Sequence, residues 1–119
     1  GEGIGSVSAA SVASVAFGAD GTATLVGTSG SRADRQSFSF TAAVDGRLAV
    51  SVAKDATGLY AELEIQDTTA SRSLLDLRPR SDAGNSGMVS LSKGHAYVVQ
   101  LRSQNMDAVA FVVKLTLTS

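Results

Sequence analysis

The sequence predicts an all-β fold, an antiparallel two-sheet β-sandwich of jelly-roll type. Three observations carry that prediction. Apolar and polar residues alternate with period two in one segment after another, as half-buried strands require. Turn-forming residues separate those segments at short intervals. The composition has 12 glycines and a single proline, few Lys and Glu, and many Ser, Thr, Ala and Val, which suits strands and turns better than helices. At 119 residues the chain has a single-domain length, and a chain of this size buries roughly 65% of the surface its unfolded form exposes.

The elements follow in order. Residues 1–11 are expected to be a linker or leading segment, and 12–119 the sandwich domain. Within "IGSVSAASVASVAF" the apolar positions Ile4, Val7, Val12 and Val15 fit a loose helical stripe or the start of a hairpin, and a strand near 12–17 is preferred. Turns follow at "GADG" (18–21) and "TSGS" (28–31). "RADRQSFSFTA" (32–42) enters a strand whose Phe38 and Phe40 point inward and whose Ser37 and Ser39 point outward. After "VDG" (44–46), "GRLAVSVA" (46–53) groups Leu48, Val50 and Val52 on one face. After "DATG" (55–58), "LYAELEIQD" (59–67) sets Leu59, Ala61, Leu63 and Ile65 against an outward row of Tyr60, Glu62, Glu64 and Gln66. A short strand around Leu74 to Leu77 stops at Pro79, and "RPRSDAGNSG" (78–87) is a long loop. After "SKG" (92–94), "HAYVVQLRS" (95–103) turns Tyr97, Val99 and Leu101 inward. "AVAFVVKLTLT" (108–118) does the same with Val109, Phe111, Val113, Leu115 and Leu117, and the turn "QNMDA" between these two strands predicts that they pair with each other.

Several function classes are excluded by composition. With no cysteine, neither disulfides nor thiolate metal sites are available. A formal net charge of -1 with both signs scattered gives no footprint for nucleic acid or an anionic membrane. No apolar run is long enough to span a bilayer as a helix. Catalysis has little to work with. His95 is the single histidine and lacks the second member that acid–base chemistry demands, so it reads as a structural or surface residue. "SGSRA" and "GNSGM" lack the Gly-x-Ser-x-Gly spacing of a nucleophile elbow. Glu62 and Glu64, two apart on a strand, read as solvated carboxylates rather than an acid–base pair.

The order of features from about Gly27 to Leu117 resembles the bacterial pre-peptidase C-terminal domain family. Its opening motif, Asp-x-Asp-x-Phe/Tyr-x-Phe, is matched by Asp34, Gln36, Phe38 and Phe40, with Gln36 standing where the second acid belongs. "TAAVDGRLAVSV" is similar to the family's glycine-turned hairpin, "AELEIQDTTASRSLL" to its strand ending in an Asp turn, "VSLSKGHAYVVQL" to its Gly turn and Tyr-bearing strand, and "FVVKLTLT" to its closing strand. The resemblance implies a jelly-roll-like β-sandwich appended to exported enzymes, itself non-catalytic. Some members bind calcium or an extracellular polymer.

Two kinds of site follow. Calcium wants six to eight oxygens from carboxylates and bent backbone, and the resemblance places it at Asp34 and Gln36, with Asp20, Glu2 and Asp45 as acids that could converge there. The competing role for Asp34 is acceptor of backbone N–H groups in its own turn. For binding, Tyr60, Glu62 and Glu64 form an outward strip, and Arg78 and Arg80 lie on the long loop where recognition residues concentrate. The expected function is that of a non-catalytic accessory module of a larger secreted or cell-surface bacterial protein, tethering it to an extracellular polymer. Its partners are then neighbouring domains of the parent protein and an extracellular polysaccharide or protein. The alternative is a structural or protein-interaction repeat of an adhesin with no small ligand.

Overall fold

Alternation sorts the apolar side chains to one face of each strand, and two sheets close over them. The computed structural model describes residues 12–119; the expected leading segment 1–11 lies outside the described residues. The strands are β1 Val12–Ser14, β2 Thr22–Ser29, β3 Gln36–Thr41, β4 Gly46–Ala53, β5 Ala61–Asp67, β6 Arg72–Leu77, β7 Ser86–Leu91, β8 Ala96–Ser103 and β9 Val109–Thr118, with a 3-10 turn at Asp82–Gly84. One sheet has the order β1-β3-β8-β5-β6 and the other β2-β9-β4-β7. All pairs are antiparallel except β1 with β3. This is the β-sandwich that composition and alternation predict.

Most predicted inward positions form the core, joined by Ala23, Leu25, Ala42, Tyr60, Val89 and Leu91, while Phe38, Phe40, Leu59 and Leu117 are half-buried against it. Leu48, Val50, Val52, Leu63, Ile65, Tyr97, Val99, Leu101, Val109, Phe111, Val113 and Leu115 are all buried. Phe111 crosses the gap between sheets to meet Phe38 edge-on at 6.1 Å, and Phe40 stacks on Tyr97 at 5.4 Å. Burying a side chain of this size contributes about 1.5–3 kcal/mol. Phe111 also explains Gly27, its cross-strand partner. A β-carbon at Gly27 would stand 2.7 Å from Phe111 Cζ, so only glycine leaves room for the ring.

The structure departs from expectation in four places. β8 and β9 do not pair: β8 lies between β3 and β5, and β9 between β2 and β4, in the opposite sheet. The connection is an arch, held by Ser103 Oγ donating to Asp107 O at 2.6 Å while accepting from Asn105 N at 3.2 Å. Alternation reports which face of a strand is buried, not which strand lies beside it. The expected 12–17 strand is real over Val12–Ser14 but pairs in parallel with β3, so the 18–21 turn carries the chain between sheets. The 44–46 turn likewise joins β3 to β4 across the sandwich rather than closing a hairpin. Among the described residues, β5–β6 is the one connection between consecutive strands of the same sheet. Finally, Thr22–Ser29, bracketed by two expected turns but given no strand of its own, is an eight-residue strand. Its small, hydroxyl-rich residues carry little apolar signal.

Gly27→Ala should destabilise the domain by about 1–3 kcal/mol through overpacking against Phe111. Chemical denaturation of Gly27→Ala, Phe111→Leu and the double variant checks this. The double variant should lose less than the sum of the singles, because the smaller side chain vacates the space that the new methyl needs.

Candidate functional site

The outward row of β5 is where the structure departs most from a plain solvated face. Tyr60 and Glu62 are buried, at 8% and 0% relative exposure, so the exposed strip expected over Tyr60, Glu62 and Glu64 is not a strip. Asp82 caps the Tyr60 hydroxyl, and Glu62 lies under a cover of arginines. Arg102 lies directly across from Glu62 on β8. Arg32, on the β2–β3 loop, brings its Nη1 to 2.6 Å from Glu62 Oε1. Arg78, just past β6, places its Nε 3.4 Å from Oε2 and its Nη2 3.2 Å from Asp76 Oδ2. Arg102 completes the group, 3.6 Å from Glu62 Oε1 and 3.9 Å from Glu64 Oε1. Among the described residues Glu62 Oε2 and Arg102 Nε have no hydrogen-bond partner, so Arg78 and Arg102 meet the carboxylate by charge rather than by aligned donors. Burial opposes ionisation of Glu62, but the hydrogen bond from Arg32 and the charges of Arg102 and Arg32 outweigh it and hold the carboxyl below its ordinary value.

Glu62, Glu64 and Asp76 bring carboxylate oxygens within 4.8 Å of one another, close enough to hold a metal ion such as calcium. Arg32, Arg78 and Arg102 already match those charges one for one, and an ion there would compete with three guanidinium groups. At the other candidate position, Asp34 braces its own loop. Its Oδ2 accepts from Gly30 N at 2.8 Å and its Oδ1 from Gln36 Nε2 at 2.7 Å. Gln36 therefore turns a donor, not an oxygen, toward the acid, and calcium would have to displace both bonds. Asp20 accepts from Thr22 N and Oγ1 within its own turn, and Asp45 accepts from Lys93 N, tying the β3–β4 turn to the β7–β8 turn. Glu2 lies outside the described residues.

The expected 78–87 loop ends at Asn85, because Ser86 and Gly87 already belong to β7, and it is pinned rather than loose. Gln104 Nε2 donates to Pro79 O at 2.7 Å, Tyr60 Oη donates to Asp82, and Asn85 exchanges hydrogen bonds with Val52, from its Nδ2 at 3.0 Å and through its carbonyl at 2.9 Å. Hydrogen bonding to Asp82, with burial, raises the Tyr60 phenol pKa. Arg32 N donates to Asn105 O at 2.7 Å, which ties the β2–β3 loop to the β8–β9 arch. A crevice of about 360 Å³ lies between these loops, lined by Gly58, Leu59, Tyr60, Pro79, Arg80, Gln104 and Asn105. Arg80 is exposed at its rim and has no salt-bridge partner among the described residues. The nearby Asp55 spends Oδ1 on Thr57 and Leu59. This end of the sandwich thus offers guanidinium groups while Asp34, Asp55 and Asp82 turn oxygens inward.

The fold matches known sandwiches. Neither a family model nor a curated protein sequence matches the chain. Among solved structures, Aeromonas hydrophila PliG, a periplasmic inhibitor of g-type lysozyme, superposes with a TM-score of 0.70 at 13% identity, over 91% of this chain and 96% of that one. Salmonella Typhimurium PliG gives 0.63 at 20% identity over 90% and 97%. The pre-peptidase C-terminal domain of Bacillus anthracis collagenase gives 0.65 at 9% identity over 90% and 94%. At these identities the likeness is one of fold.

Elsewhere, His95 stacks on Tyr97 at 6.4 Å and has one charged partner among the described residues. Its Nδ1 is 2.7 Å from Asp67 Oδ2, and because an ionised carboxylate only accepts, Nδ1 carries the proton. Asp67 also accepts from Ala70 N at 2.9 Å, which closes the β5–β6 turn. Burial pushes its pKa up, but the bonds from His95 and Ala70 outweigh that and leave it lowered. A second pit of about 390 Å³ opens at the β1–β3 end, lined by Phe17, Phe40, Thr41, Ala42, Ala43, Val44, Gly46, Leu91, Leu117, Thr118 and Ser119. None of these offers an acidic or basic side chain for catalysis. Asp76, Arg32 and Arg102 joined the Glu62 group unforeseen, since cross-strand register and a distant loop bring them there. The signal available was an outward Glu on a strand flanked by apolar neighbours.

Glu62→Gln should destabilise the protein by about 2–3 kcal/mol, below the 3–5 kcal/mol typical of a broken buried pair because Arg32 and Arg78 reach solvent. A lowered folded pKa contributes stability above the ordinary carboxyl range that disappears as pH falls through the folded value. Urea titrations from about pH 6 to pH 3 should therefore show a flatter acid limb for Glu62→Gln than for the native chain. By the same sign, Asp67→Asn should lower the melting temperature at neutral pH and narrow the gap to the native protein as pH drops below about 4.

Proposed function

We propose that the chain is a non-catalytic accessory module of a secreted or cell-surface bacterial protein, and that it works by binding a protein partner through the arginine-bearing loop end. The observation that carries this reading is the pinned 78–85 loop, which holds Arg78 and Arg80 exposed beside Arg32 without loss of loop entropy on binding. Side-chain exposures of 60% for Arg78 and 39% for Arg32 leave both available even while they cover Glu62. Arginine is enriched at protein interfaces and engages carboxylates through two parallel hydrogen bonds, so an acidic surface is the complementary partner. Polysaccharide tethering is less well supported, because sugar-binding faces stack the ligand on exposed aromatic rings. All six aromatic residues here are buried or half-buried. The non-catalytic reading is supported by the lone His95, spent on Asp67, and by a fold shared with lysozyme inhibitors and a collagenase C-terminal domain.

Arg80→Glu separates the readings without disturbing the Glu62 group. Immobilised protein should capture a protein probe, with g-type lysozyme and collagen tried beside chitin and cellulose, and the capture should weaken with added salt. Reversing Arg80 should cost at least about tenfold in affinity, or 1.4 kcal/mol, at an unchanged melting temperature. Retention on chitin or cellulose alone, indifferent to Arg80→Glu, would return the polymer-tether reading.

A further inference from the structure

The two sheets have four edges, β1, β6, β2 and β7, and an edge strand is a template for pairing unless it is short, charged, bulged or covered. Three are protected. β1 is three residues long. β6 carries Arg72 and Asp76 and meets β5 through a register shift at Ile65/Gln66. β7 is approached by β6, whose Leu75 and Leu77 methyls lie 3.0 and 3.6 Å from where a β-carbon on Gly87 would stand. Among the described residues, β2 has no such device. Its eight residues, TATLVGTS, include no charge and no proline, and they pair with β9 in unbroken register.

Hydrogen-bond parity shows which groups the β2 edge offers. Leu117 N donates to Gly21 O at 2.8 Å, continuing the β2–β9 register, so bonded pairs recur at Ala23, Leu25, Gly27 and Ser29. Thr24, Val26 and Thr28 therefore aim their N–H and C=O groups away from β9, and these have no partner among the described residues. The same three residues expose their side chains. Val26 is 67% exposed beside its cross-strand neighbour Val112 at 47%. The outward sequence Thr-Val-Thr reads the same in both directions about Val26.

We propose that β2 is a self-association edge, on which a second copy of this chain docks antiparallel about a two-fold axis through Val26. Val26 then pairs with Val26 of the second copy, and Thr24 with Thr28 of the second copy, each exchanging both backbone hydrogen bonds. Hydroxyl meets hydroxyl and valine meets valine, with no charge brought against its like. The contact is isologous and closes at two subunits, joining the two four-stranded sheets into one. The palindrome is what selects a second copy over a foreign strand, since no other sequence is guaranteed to meet the same side chains in that register.

Sedimentation velocity over a concentration series, on the native chain, Val26→Lys, Thr24→Lys and Thr116→Lys, tests the proposal. The native chain should dimerise reversibly, and either edge lysine should weaken the dimer at least tenfold while keeping the native melting temperature, because both positions are already exposed. Thr116→Lys, one strand inside the edge on the same face, should dimerise normally. Amide exchange at Thr24, Val26 and Thr28 should slow on dimerisation. A native chain that stays monomeric at millimolar concentration overturns the proposal. So does a dimer that survives the edge lysines, one that Thr116→Lys abolishes, or an edge that captures only the strand of another protein.

Discussion

A carboxylate withdrawn from water must be matched by positive charge or give up its ionisation. Glu62 meets that requirement with three arginines drawn from three places: the β2–β3 loop, strand β8 and the segment after β6. Much of the architecture at this end follows from it. Arg32 reaching inward sets the path of a loop that Asp34 and Asn105 then fasten, and Arg78 sets the departure of a loop that Gln104, Tyr60 and Asn85 then fasten. The desolvation cost of one acid is met by ordering two loops, which are the segments a β-sandwich usually leaves loose.

That arrangement carries a compromise. Arginines that cover Glu62 are also exposed, so under the proposed function Arg32 and Arg78 would serve both stability and recognition. Arg80 stands apart from the buried acid and is free of the structural duty. Under the proposed function, a surface divided this way would separate affinity from folding at the level of single residues, with Arg80 tuning partner preference without endangering the core.

The sequence made the strands legible because burial on one face writes itself as alternation. Leu48, Val50, Val52, Phe111, Val113 and Leu115 are inside for the reason that they alternate with polar neighbours. What alternation cannot encode is adjacency, and for that reason the expected β8–β9 pair lies in opposite sheets. β2 was hard to see for a related reason: Thr22, Thr24 and Thr28 with Gly27 give weak contrast between faces, although Ala23 and Leu25 point inward. The Glu62 group was illegible because its members are remote in sequence. Residues 32, 62, 78 and 102 meet only after the sheet has formed. Asp34 was the better-read position, since an Asx acceptor works over two to four residues and is visible locally.

The strand order has a consequence in time as well as in space. β9 lies at the centre of its sheet, with β2 on one side and β4 on the other, although it follows both in the chain. Neither β2 nor β4 has its principal neighbour until residues 109–118 have left the ribosome. On the nascent chain, therefore, β5 and β6 can form their local hairpin early, whereas half of the sandwich waits for its last strand. A fold built from such distant pairings belongs with the slow-folding, high-contact-order β domains, and its apolar faces need shielding during synthesis until β9 arrives.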